Sequence, residues 1–84
     1  MTKKYTITKG LYDDVFLEVM DDLAEKATAG EIPIWHSYVT ERVEERYPFK
    51  IYRITLENEE GRPVAAVYVE CAYDLDVAKV EVDW

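Results

Sequence analysis

The stretch IPIWHSYVTERVEERYPFK, residues 32–50, decides how many helices the chain can lay on a sheet. Pro33 suits the first position of a helix, where its missing N–H costs nothing, and Pro48 disfavours helical backbone at Tyr47. Between them Trp35, Val39 and Val43 recur every four residues as a narrow apolar stripe. Arg42 and Arg46 interleave with Glu41, Glu44 and Glu45, as on a solvated helix face. The spacing predicts a second helix from Pro33 to Tyr47 with its stripe on the sheet. Ile34 and Tyr38 then fall on its other side, near Glu41 and Glu45.

Outside this stretch the periodicity is two, apart from one earlier helical segment. After Pro48, FKIYRITLE (49–57) sets Tyr52, Ile54 and Leu56 against Ile51, Arg53 and Thr55. The run NEEGRP (58–63) reads as a hairpin turn in which Gly61 supplies a positive φ. VAAVYVECAY (64–73) then puts Ala65, Val67, Val69, Cys71 and Tyr73 on one face. Asp74-Leu75-Asp76 turns the chain again, and VAKVEVDW (77–84) alternates Ala78, Val80, Val82 and Trp84 with Lys79, Glu81 and Asp83. Near the N-terminus, Lys3 to Lys9 alternates Tyr5 and Ile7 with Lys4, Thr6 and Thr8, and Gly10 closes that strand. It joins an edge of the meander or pairs with a second copy.

The first helix covers residues 11–27, with Gly30 as its C-terminal cap. At about 100° per residue, Tyr12, Val15, Phe16, Val19, Met20, Leu23 and Ala27 gather on one side and face the sheet. The expected fold class is therefore an α+β two-layer sandwich of β-α-α-β-β-β order. A C-terminal antiparallel three-strand meander carries two helices packed on one face. The 84 residues (1–84) make one domain, since they are too few for two separate cores.

Charge narrows the function. Eighteen acidic residues against ten basic ones give a formal net charge of −8. A field of that sign repels phosphates and anionic membrane surfaces, so direct nucleic-acid or membrane binding is disfavoured and basic proteins are the favoured partners. Cys71 is the one cysteine; no internal disulfide can form, and its place in an alternating apolar run makes it a small core residue. No apolar stretch follows the N-terminal lysines, and no segment is long enough to span a bilayer, so a cytoplasmic setting is expected.

The densest charge lies on the first helix, whose residues 11–27 hold six carboxylates and one lysine. Asp14, Glu18, Asp21 and Glu25 follow one another at spacings of four, three and four, flanked by Asp13 and Asp22. They form a ridge roughly 16 Å long at about 1.5 Å of rise per residue. Metal binding needs oxygens converging on one point, and acid–base catalysis needs a carboxyl group perturbed inside a cleft; a convex ridge offers neither. A row of carboxylates about 5 to 6 Å apart does resemble, in sign and spacing, a row of phosphates.

Other candidates are weaker. His36 has only Ser37 and Cys71 as nominal nucleophilic partners; the first is its chain neighbour and the second is expected to be buried. The sheet face away from the helices would carry Ile51, Arg53, Val64, Ala66, Tyr68 and Val77, an apolar set that hints at a docking surface. No glycine-rich phosphate loop, paired-cysteine motif, HExxH or nucleophile elbow occurs.

These residues predict a non-enzymatic, acidic protein-binding module with no catalytic residues, metal or cofactor. Its most concrete form is an inhibitor or nucleic-acid mimic that occupies the basic site of a nucleic-acid-handling protein. Phage and mobile-element anti-defence proteins of similar size and charge work this way, a likeness of class and charge only. Asp14, Glu18, Asp21, Asp22 and Glu25 would make the contact, with Tyr38 and Tyr68 as aromatic support. The alternative is a homodimeric accessory protein using the outer sheet face, its acidity serving solubility. A small metal-binding protein or enzyme using the Asp pairs is a weaker one.

Overall fold

The computed structural model describes residues 1–8, 12–46, 49–72 and 77–84. Six elements follow one another: β1 (Thr2–Thr8), α1 (Tyr12–Thr28), β2 (Ser37–Arg46), β3 (Phe49–Glu57), β4 (Pro63–Ala72) and β5 (Val77–Asp83). The strands form one antiparallel sheet of order β1-β5-β4-β3-β2. The order is thus β-α-β-β-β-β, and the expected two-helix β-α-α-β-β-β sandwich is wrong. One helix packs on a five-stranded sheet.

The error lies in residues 33–47. Four residues are about 400° around a helix but two whole periods of a strand, so the Trp35, Val39, Val43 spacing is nearly as good for either. The alternation of β2 against β3 resolves it. Tyr38 pairs with Leu56, Thr40 with Ile54 and Arg42 with Tyr52, while Val39 and Glu41 sit opposite Thr55 and Arg53. Three of the ten residues, Val39, Thr40 and Val43, are β-branched and prefer this pleated geometry. The strand also satisfies backbone groups along β3 that a helix lying across the sheet would leave unpaired. Val39 and Val43 are consequently 57% and 52% exposed rather than packed beneath a helix. The register shifts between Arg42 and Glu44, making Val43 the extra residue of a bulge.

The remaining elements follow their patterns. Helix α1 ends in a Schellman arrangement: Gly30 has φ 78°, its N–H donates to the Ala27 carbonyl (3.1 Å), and the Glu31 N–H donates to the Lys26 carbonyl (2.9 Å). Gly61 has the positive φ expected of the β3–β4 turn, where Asn58 Oδ1 accepts from the N–H groups of Glu60 and Arg62, both at 3.0 Å. Strand β1 takes the sheet edge beside β5, with Tyr5 opposite Val80. The expected roles of Gly10, Pro48, Tyr73 and the Asp74-Leu75-Asp76 turn lie outside the described residues.

One face of the sheet holds the core. Ile54, Leu56, Val67, Val69, Val80 and Val82 are buried beneath Val19, Met20, Leu23 and Ala27 of α1. The helix packs over β1, β5 and β4. The segment after it returns toward β2, bringing Ile32 into the core and Trp35 to its margin, where the indole N–H donates to the Leu23 carbonyl at 3.3 Å.

Candidate functional site

Alternation and the helix period together place the candidate residues on two opposite sides of the molecule. On the outer side of α1, Asp21 and Glu25 are exposed and Glu18 is partly exposed. These three keep the expected ridge geometry over about 10 Å. Asp13 and Asp14 belong to the first turn by backbone, but their side chains lie outside the described residues.

Asp22 departs from the ridge. Its Oδ2 meets Lys26 Nζ at 2.8 Å, one turn on, and both side chains lean toward β1. There Lys26 Nζ stands 4.3 Å from the centre of the Tyr5 ring, a cation–π contact. The Tyr5 hydroxyl is buried beside the Asp22 carboxylate without a well-aligned hydrogen bond. Burial, and secondarily the Asp22 charge, push the Tyr5 phenol well above its ordinary range. At the edge of the same cluster, Lys3 Nζ donates to Glu31 Oε1 at 2.7 Å, and this contact holds the Glu31 carboxyl below its usual value.

The two candidate tyrosines do not meet. Tyr38, on the helix side of β2, has its ring centre 6.1 Å from those of both Phe16 and Trp35. Tyr68 projects from the other face of the sheet, opposite Arg53 on β3 and Glu81 on β5. Arg53 pairs with Glu41 and Lys4 with Glu81 across that outer face. It is therefore more charged than its apolar residues imply. The exchange of a helix for β2 adds Glu41 to it, and the sequence pattern had assigned that residue elsewhere.

Among the described residues, His36 and Cys71 are not brought together. The His36 N–H donates to the Glu57 carbonyl at 2.7 Å, whereas Cys71 pairs with Lys50 near the other end of β3. Seven residues of strand separate those positions, about 23 Å. Cys71 is buried as expected, and burial pushes its thiol up, away from the reactive thiolate. Among the described residues, no three His, Cys, Asp or Glu side chains converge as a metal would require.

No family model, curated protein or solved structure matches this chain. Among the described residues, no helix is long and apolar enough to cross a membrane.

Proposed function

We propose that the chain is a non-enzymatic binding module that presents the outer face of α1 to a basic protein surface. In its most specific form it inhibits a nucleic-acid-handling protein by occupying the groove meant for phosphates. The observation carrying this reading is the commitment of Lys26. It is the only cation in α1, and it turns sideways to Asp22 and Tyr5. The outward carboxylates Asp21 and Glu25 therefore have no lysine or arginine of their own helix interleaved with them. A negative face steers a cationic partner and raises its association rate. The reading places the protein in the cytoplasm, where such partners work.

The test captures a basic nucleic-acid-binding protein on the chain and competes it with duplex DNA. DNA and chain should exclude one another, and affinity should fall steeply between about 50 and 200 mM salt. Asp21→Asn with Glu25→Gln should lose the binding. Glu59→Gln with Glu60→Gln removes the same charge from the exposed β3–β4 turn and should keep it. Binding indifferent to salt, or equally affected by the two pairs, would overturn the reading.

A further inference from the structure

The outer face of the sheet carries a charge order that the strand registers make readable. One row of paired residues crosses all five strands: Lys4 on β1 lies opposite Glu81 on β5, Glu81 opposite Tyr68 on β4, Tyr68 opposite Arg53 on β3, and Arg53 opposite Glu41 on β2. In sequence across the sheet this reads plus, minus, tyrosine, plus, minus. Tyr68 stands on the middle strand and is 38% exposed.

We propose that this face is the contact between two copies of the chain, related by a two-fold axis that runs along β4 at Tyr68. Such an axis lies between the two sheets and exchanges left and right edges while keeping height along the strands. It sets β1 of one copy over β2 of the other, β5 over β3, and β4 over β4. Lys4 then faces Glu41, Glu81 faces Arg53, and the two Tyr68 rings meet at the axis. Every charge in the row opposes its opposite. A two-fold axis across the strands would instead set each of the four charged residues over its own copy, so the row selects one orientation and penalises the other.

Size and shape agree. Five strands about 4.8 Å apart and seven residues at about 3.3 Å of rise make a face of about 24 by 23 Å. Two such faces hide on the order of 1,100 Å², just above the roughly 1,000 Å² that separates specific interfaces from incidental ones. Aligned sheets cross at about 30°, which displaces the outermost charges by about 5 Å, a gap that lysine and glutamate side chains span. A groove of about 490 Å³ beside Tyr68, bordered by Lys4, Glu81, Lys79, Glu70 and Ile51, gives the partner's ring room for offset stacking. In the adjacent row Glu70 meets its own copy, but Lys79 stands directly beside it on β5. Helix α1 lies on the opposite side of the sheet, so this contact is independent of the acidic ridge and would leave two ridges pointing outward.

Sedimentation equilibrium of the chain, up to about 1 mM, tests this. The expected result is a monomer–dimer equilibrium that Tyr68→Lys shifts fully to monomer while the far-UV circular dichroism stays unchanged. A second variant inverts the row with Lys4→Glu, Glu81→Lys, Arg53→Glu and Glu41→Arg, which preserves the pairs within each chain. It should dimerise with itself but form no mixed dimer with the unaltered chain. A monomer throughout the concentration range overturns the proposal. So does a dimer that survives Tyr68→Lys, or an inverted chain that mixes freely with the original.

Discussion

Tyr5 joins the first strand to the helix through a contact that combines burial, charge and an unsatisfied hydroxyl. Lys26 covers its ring and Asp22 stands beside its oxygen. A helical wheel could mark Asp22 only as a flank of the acidic ridge. Which flank it joins depends on the side of the helix that β1 occupies, and periodicity carries no information about that. The cluster has a pH consequence. The Tyr5 phenol keeps its proton more firmly in the folded chain than in the unfolded one. Its contribution is therefore whole below about pH 10 and is lost as pH rises further, because only the unfolded chain then ionises freely. Urea unfolding should show the native protein losing stability above pH 10 faster than Tyr5→Phe. At pH 7 the substitution should change stability by less than about 1 kcal/mol, since it removes a hydroxyl without an aligned partner. Identical curves above pH 10 would contradict this account of the site.

Among the elements, β1, α1, β3, β4 and β5 were legible because each combines one clear period with a glycine or a change of pattern at its end. Residues 37–46 were not, since their apolar spacing of four serves both periods and their glutamates and arginines suit a solvated helix. What settles them is non-local: β3 needs a neighbour on its second side. The charges that imitate a helix face have a different use here. On an edge strand, Glu41, Arg42 and Glu44, together with the bulge at Val43, discourage pairing with a stray strand. Thr40 is exposed, so its substitution reports backbone preference more than packing. Thr40→Ala should lower stability by about 0.5 to 1 kcal/mol in a strand, whereas a helix would gain a few tenths of a kcal/mol from the same change. The sign of the shift in the urea midpoint decides between them.

At the scale of the whole molecule, helix α1 on the five-stranded sheet divides the surface of the described residues in two. The helix side carries the carboxylates Glu18, Asp21 and Glu25, which were readable from spacing alone. The open side carries Lys4, Glu81, Tyr68, Arg53 and Glu41 in one row. That row could not be read from the sequence, because it joins residues from five segments and depends on β2 being a strand. Tyr68 and Arg53 were recognised as outward, but their neighbours across the sheet were not. Both surfaces thus rest on the same architecture, in which residues 37–46 complete the sheet rather than cover it.

Backbone NMR of the chain tests that architecture most directly. Strand-type Cα and Cβ shifts are expected across Ser37–Arg46, with cross-strand contacts linking Val39 to Thr55 and Glu41 to Arg53. Helical shifts over the same residues, with successive amide protons in contact and no link to β3, would contradict it.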